Sequence, residues 1–333
     1  MATNLNSQPG TASPTLGLSA SWQTLGPQDW LVFSYLSLMC LAAITAPAHP
    51  VRSLCILQMS SLWLVFCAVT LVVRTRSWQR PAAPAFVYRV TLFTVILTSY
   101  LFLDHFLPLV NPRNLDQELH ALDLFLFGFE PAVLLDRYVT PFRTEWFSFF
   151  YFGYFWLVWS HIFPIMFITR DERRLGEFGL GLLTVYVVGQ SLYMFVPGFG
   201  PIVALADDFT HPLPQGFWLD AVMKTVHSGG AQKDIFPSLH TAAPTFLTLF
   251  SIRHRRLVPY RYTWPVVAFF TLNIVLATMY LRWHWLIDVI AGVCLAALAL
   301  QMSVWATERE LARRARLGLG ETWCELRRPR PQA

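Results

Sequence analysis

Charge is what this sequence has least of. Only 14% of its 333 residues are charged, against about 25% in an ordinary soluble domain. With 55% of residues hydrophobic and a mean hydropathy of +0.44, too few polar side chains remain to cover a water-exposed globule of this length. Lysine is nearly missing, with Lys224 and Lys233 the only two. The five cysteines are odd in number and show neither a CxxC nor a Cys/His ligand spacing, which excludes a disulfide framework. The first 29 residues hold no Lys or Arg and no apolar core, which excludes a signal peptide. Rich in Ser, Thr, Gly, Pro and Asn, they read as a disordered lead-in. Disorder of the whole chain, a secreted scaffold and a free cytosolic enzyme are thereby set aside.

What the sequence does have is apolar residues in blocks of about twenty, the length that crosses a bilayer core. Eight spans are expected, at 30–47, 52–73, 86–109, 146–168, 178–196, 237–252, 264–281 and 285–305. The fold class is an all-α polytopic transmembrane helical bundle. Its sixth span is short, which implies that it starts below the membrane surface. No internal repeat is apparent.

The net charge of +5 lies almost wholly on arginines in short clusters between apolar blocks, as topology requires and nucleic-acid binding does not. Seventeen of the 25 basic residues fall on one side of the eight-span arrangement, among them Arg74, Arg170, Arg253 and Arg313, and six on the other. The positive-inside rule then makes both termini cytoplasmic. The domains follow as a lead-in over 1–29, N-terminal helices over 30–110, a membrane domain over 111–306 that holds the motifs described below and a basic cytoplasmic tail over 307–333.

Two long connections fall on the outer side. In 110–145, Leu119, Leu122, Leu126 and Phe129 recur at helical spacing among acids, the pattern of an amphipathic helix lying in the interface. In 197–236, Gly198, Gly200, Pro201, Pro212 and Pro214 indicate an ordered loop or lid.

The chemistry concentrates in Phe236-Pro-Ser-Leu-His240-Thr and Arg282-Trp-His284-Trp-Leu-Ile-Asp288-Val-Ile-Ala-Gly292. The topology puts both at the same outer mouth. His284 and Asp288 are four apart and share a helical face. A carboxylate on one ring nitrogen fixes the tautomer and leaves the other nitrogen nucleophilic or basic. Arg282 can meet phosphate oxygens bidentately. Pro237 suits the first turn of a helix, which would aim the N–H groups of Ser238 and Leu239 outward at an anion. His240 beside them can donate a proton to a leaving oxygen. Together these suit phosphoryl transfer without a metal. The competing readings are interfacial histidines bonded to backbone and a structural His–Asp pair.

At these residues the chain resembles the phosphatidic acid phosphatase type 2 superfamily, and within it the branch containing inositol phosphorylceramide synthases. Leu239 stands where typical lipid phosphatases have Gly, and Ala291-Gly292 follows the His-x-x-x-Asp motif. Tyr193 with Pro197-Gly-Phe-Gly-Pro201, and Asp123 with Phe127-Gly-Phe-Glu-Pro131, add to the likeness, which spans roughly 115–295.

The resemblance implies a six-helix catalytic core and a lipid phosphate substrate, with water or an alcohol as acceptor and no cofactor. His284 would attack phosphorus to form a phosphohistidine, with Asp288 orienting it and His240 handling the proton. Arg282 and the Ser238 region would hold the phosphate, at a site on the non-cytoplasmic face. The family's Lys-x6-Arg-Pro motif is absent. Arg80-Pro81 resembles its end, but no Lys precedes it and it falls in a cytoplasmic loop. The second-motif arginine is replaced by Thr278. Lys233 or His227 are then the helpers available to Arg282.

Elsewhere, His161 reads as bonded to backbone freed by Pro164, and Asp104-His105 as an interfacial pair or part of the cleft wall. Gln190 and Tyr193 face inward, with a role at the head-group pocket open to them. A transporter using His240, His284 and Asp288 as a proton relay is the rival from another class, and a non-catalytic lipid-binding relative the third reading.

Overall fold

The computed structural model describes residues 22–75, 82–228 and 232–324. Among these it forms thirteen α-helices and no strand. Seven of the helices are long and apolar enough to cross a membrane: α1 (Pro27–Thr45), α2 (Arg52–Thr75), α3 (Ala82–Leu101), α7 (Pro141–Phe167), α8 (Glu172–Tyr193), α12 (Tyr260–Tyr280) and α13 (Leu286–Leu317). The shorter ones are α4 (Leu103–Val110), α5 (Asp116–Phe127), α6 (Pro131–Asp136), α9 (Pro201–Ala204), α10 (Phe217–Ser228) and α11 (Leu239–Arg253).

Each expected span has its helix, with three changes. The third is divided at Phe102 into α3 and α4. The sixth is α11, whose 15 residues reach only about 22 Å at 1.5 Å per residue. Its approach segment sinks into the protein, with Ile235, Pro237 and Ser238 buried. The eighth does not stop at 305 but runs to Leu317. Glu310 accepts from Arg313 and Arg314 at i+3 and i+4, and Gly318 in the left-handed region ends the helix. Part of the expected basic tail is therefore helix.

α8 lies at the centre of the bundle. Both α13 and α11 pack on it, α12 on α11, and α7 on α12. Small residues permit this closeness. A Cβ on Gly181 would meet Phe246 at 2.3 Å, and one on Gly189 would meet Leu239 at 2.5 Å. α1 leans on α8, and α2 and α3 follow it as an outer layer.

At the end of the bundle away from His284, the two ends of the described chain interlock. Of the expected lead-in, residues 1–21 lie outside the described residues. The remainder is ordered: Trp22–Thr24 form a 3-10 turn and α1 starts at Pro27, not at 30. The reason is polar. Asp29 is buried and accepts from Arg74 at 2.7 Å and from the Tyr88 hydroxyl. Gln28 donates to the Thr322 carbonyl. Arg89, buried inside α3, gives its guanidinium to the carbonyls of Trp323, Cys324 and Met166. Trp323 is 1% exposed and fills the space left by Gly179, where a Cβ would meet its ring at 2.5 Å. All five cysteines are free.

Deleting so large a buried side chain costs about 3–5 kcal/mol. Trp323→Ala is expected to lower the melting temperature in detergent micelles sharply. An unchanged unfolding curve would mean that residues 319–324 contribute nothing to the bundle.

Candidate functional site

The two histidine stretches meet where the first turns of α11 and α13 touch. α12 ends at Tyr280, and residues 281–285 turn the chain into α13. The amides of Trp283 and His284 both donate to the Thr278 carbonyl. Arg282 holds φ = +67°, a left-handed conformation that costs a non-glycine residue about 1–3 kcal/mol. The Ser238 amide donates to the Asp288 carbonyl at 3.1 Å. Gly292, one further turn along the same face of α13, lies so near that a Cβ there would stand 2.6 Å from the Ser238 carbonyl oxygen. Asp288 and Gly292 thus lie one turn apart on α13, a carboxylate and a gap for the neighbouring backbone, while His284 stands in the turn two residues before the helix and not on the helical face expected of it.

His284 is buried, with its Nδ1 3.5 Å from Asp288 Oδ2. That is a close approach and not the direct hydrogen bond expected, and Nδ1 has no hydrogen-bond partner. Oδ2 instead accepts the Trp285 amide at 2.9 Å and so caps α13. The ring of His284 bonds to the backbone of Ile235, and Asp234 adds a favourable charge. Burial outweighs both and pulls His284 down to about 4, so it is neutral at physiological pH. A neutral ring is the nucleophilic form.

Two further carboxylates complete the cap. Asp123 is fully buried and accepts from the amides of Leu286 and Ile287 at 2.7 and 2.9 Å. Asp116 accepts from the amides of Phe199 and Gly200 and from the Trp285 indole at 3.1 Å. Both come from α5, the helix expected to lie in the interface. Of its predicted apolar stripe only Leu119 turns inward, while Leu122, Leu126 and Phe129 are exposed. Asp116 and Asp123 face the protein, whereas Glu118 and most of the leucines of α5 face out.

His240 sits in the first turn of α11. Tyr151 and Tyr154 of α7 stack on it, with centroid separations of 4.3 and 4.4 Å. Asp234 was not foreseen. It accepts from Tyr100 at 2.8 Å, and burial raises its carboxyl against the opposing effects of Tyr100 and His284. The available signal was its position, two residues ahead of the Phe-Pro-Ser-Leu-His stretch.

The expected phosphate ligands fare differently. Ser238 is the N-cap of α11, and its hydroxyl accepts the Thr241 amide. With its own amide on Asp288, it presents no N–H to an anion. Pro237 therefore precedes the cap and does not open the helix. Lys233 donates to the carbonyls of Pro112 and Arg113 at 3.0 and 2.8 Å, binding two loops together. Arg282 donates to Asp136 at 2.8 Å and to the His211 carbonyl at 2.6 Å. Its guanidinium also lies 3.9 Å from the Phe209 ring centroid, while its buried Nε has no partner. Asp136 gathers Thr210 and His211 as well. Burial works to raise this carboxyl, yet those bonds together hold it at about 2. Arg282 is thus anchored to the connection over 197–216 by a carboxylate that stays ionised. His227 is exposed and bonded to the Met223 carbonyl.

Among the remaining residues, His161 does bond to backbone, at the Leu157 carbonyl and not the one that Pro164 leaves free. Asp104 and His105 form an exposed pair 3.5 Å apart. Gln190 is buried and accepts from Tyr35 and Ser99, tying α8 to α1 and α3. Tyr193 is buried and within electrostatic reach of Asp234. Arg80-Pro81 lies outside the described residues.

Residues 117–302 match the sequence model of the PAP2 superfamily. No curated protein and no solved structure matches the chain. The matched segment holds both histidine stretches.

Two measurements probe this geometry. Gly292→Ala forces α11 and α13 apart at the Ser238 carbonyl, and both thermal stability and any catalytic turnover should fall, the latter by at least about tenfold. Glu130 caps α6 through the Ala132 amide, and burial first, then Asp123 and Asp288, raise it to about 7 against that bond. The native state then keeps a proton that the unfolded chain releases, so stability falls as pH rises from about 4.5 through 7. Glu130→Gln should melt with the wild type at pH 4.5 and above it at pH 8.

Proposed function

The chain belongs to the PAP2 superfamily, and on that premise we propose that it is a membrane-embedded lipid phosphate phosphatase or phosphotransferase working through a phosphohistidine on His284. The observation that carries the reading is the Ser238–Asp288 backbone hydrogen bond, which joins the helix turn bearing His240 to the one that directly follows His284. Two histidines, His284 beside Asp288 and His240 held by aromatic rings, then serve one substrate.

In the first step a His284 ring nitrogen attacks phosphorus and the ester P–O bond breaks. The departing alcohol oxygen takes its proton from His240. In the second, water or an acceptor hydroxyl gives its proton to His240 and attacks the phosphohistidine, releasing His284. The two outcomes, hydrolysis and transfer to an alcohol, share the intermediate and differ only in the acceptor. Asp288 lies near enough to His284 to stabilise the positive charge that develops on the ring. Arg282, with Nε unpartnered, remains the cation for the phosphate oxygens. Lys233 and Ser238 are committed elsewhere and are left out of that role.

Leu239 within Phe-Pro-Ser-Leu-His favours the transferase branch, with inositol-type or other polyol acceptors. The arginine distribution supports a non-cytoplasmic site. Arg74, Arg173, Arg253 and Arg313 lie at helix ends away from the histidines, consistent with both termini facing the cytoplasm. On this reading the catalytic membrane domain covers 111–306.

Purified protein given a panel of lipid phosphates, with and without alcohol acceptors, tests the activity. His284→Ala and His240→Ala should each reduce turnover by about 10²–10⁴-fold or more. Phosphate labelled with ³²P should be trapped on the His240→Ala protein and never on His284→Ala. Full activity in both variants would remove the mechanism.

A further inference from the structure

Charge is costly inside a membrane, so a segment lying among acyl chains turns its carboxylates inward and its apolar side chains out. A connection in water avoids that arrangement, since a broad apolar patch there invites association. The connection that carries α5 and α6 follows the first pattern.

From residue 121 to 134, every side chain exposed among the described residues is apolar, and the two charged residues, Asp123 and Glu130, are 0% and 6% exposed. Phe125 is 84% exposed, more than any other large apolar side chain described, and Leu122, Leu126, Phe129, Val133 and Leu134 are exposed with it. The surface has definite edges. Gln117 and Glu118 are exposed at the start of α5, and Arg137 directly after α6. Glu118 and Phe125 are seven residues apart, two turns, and so lie on one side of the helix. Polarity therefore changes along the axis of α5 and not around it, as in a helix inclined across a boundary between water and lipid.

α13 gives the depth of that boundary. Trp305, with the Arg309 guanidinium 3.9 Å from its ring centroid, has the character of an interfacial anchor. Ile290, Val293, Leu298 and Met302 of the same helix are exposed and apolar. At 1.5 Å per residue, the helix from Trp305 back to Leu286 is about 28 Å long, close to the ~30 Å hydrocarbon thickness of a bilayer. Leu286 then stands at the opposite edge of the hydrocarbon, and any tilt sets it deeper. α5 is fastened there. Asp123 accepts from the amides of Leu286 and Ile287, and His120 stacks on Trp285 at 5.2 Å and 26°. The exposed face of α5 is thus continuous with the lipid-facing surface of the spans.

We propose that the C-terminal half of α5, the turn at Gly128 and α6 form a wedge seated among the phospholipid acyl chains of the leaflet bordering the site, with the start of α5 in water. The wedge stands apart from the phosphoryl-transfer reading, whereas its effect on turnover rests on that reading. Asp123 caps the helix turn that follows His284, so the wedge ties the mouth of the site to the leaflet in which a lipid phosphate resides. Substrate then arrives from the bilayer and not through water.

The test places photoreactive p-benzoylphenylalanine at Phe125, Phe129 or Gln117 of the full chain, in phosphatidylcholine vesicles with tritiated acyl chains. After illumination, label should join the protein at the first two positions and stay near background at the third. Phe125→Asp alters an exposed side chain and should melt with the wild type. It should lower turnover of a long-chain lipid phosphate in the vesicles by about tenfold and leave that of a water-soluble phosphate ester unchanged. Adducts at Phe125 with a protein, or with nothing, overturn the wedge. Equal loss on both substrates overturns its link to substrate delivery. Absence of turnover in the wild type on every phosphate ester overturns the phosphoryl-transfer reading instead, and the lipid adducts still decide where α5 lies.

Discussion

One backbone hydrogen bond organises the site: the Ser238 amide on the Asp288 carbonyl. Both groups belong to helix starts, where amides are usually left for water, caps or ligands. Here the unpaired amide of one helix start is satisfied by the carbonyl of another, and Gly292 provides the clearance that lets the two backbones meet. Everything reactive hangs from this junction. His240 follows Ser238 by two residues, and His284 precedes Asp288 by four. At the start of α13 the amides of Trp285, Leu286 and Ile287 are taken by Asp288 and Asp123. These carboxylates make the helix start rigid and at the same time close it to anions, so phosphate recognition falls to side chains such as Arg282.

A second principle governs the opposite end. Arg74 and Arg89 are charges inside an apolar bundle, where an unpaired ion is costly. Asp29 and the Tyr88 hydroxyl answer the first, and three backbone carbonyls the second. Two of those carbonyls, of Trp323 and Cys324, are available only because residues 319–324 fold back over the bundle. Scarce charge thus acts as an anchor at both ends: carboxylates hold helix starts at the site, and guanidinium groups hold chain segments opposite.

The spans were legible because apolar blocks of bilayer length have few alternatives, and the two histidine stretches were legible because His240, His284 and Asp288 fall at the same mouth of neighbouring spans; that His284 precedes the helix bearing Asp288 was not. The sequence did not reveal which polar atoms were already engaged. Ser238 looked like an anion ligand until its amide and hydroxyl both proved occupied, and Arg282 looked free until Asp136 appeared beside it from 146 residues away. Asp123 was noticed as an echo, with no hint that it caps α13. Tyr151 and Tyr154 were hidden by abundance, since a chain with 15% aromatic residues gives no reason to single out two. The helical continuation past 305 was masked by arginines that read as a solvated tail but pair with Glu310 instead.

The interlock of residues 22–29 with 319–324 also counts membrane crossings. Gln28 touches Thr322 across 294 positions, so the two ends of the described chain lie on one side of the bundle. A chain that starts and finishes on the same side crosses an even number of times. Seven helices meet the length and hydropathy needed to cross, and seven is odd. If each of the seven crosses, parity asks for one more passage, and α11, packed among α8, α12 and α13, is the element placed to make it. Its 15 residues follow a segment in which Ile235, Pro237 and Ser238 are buried, so the helix that carries His240 starts inside the protein and not at its surface.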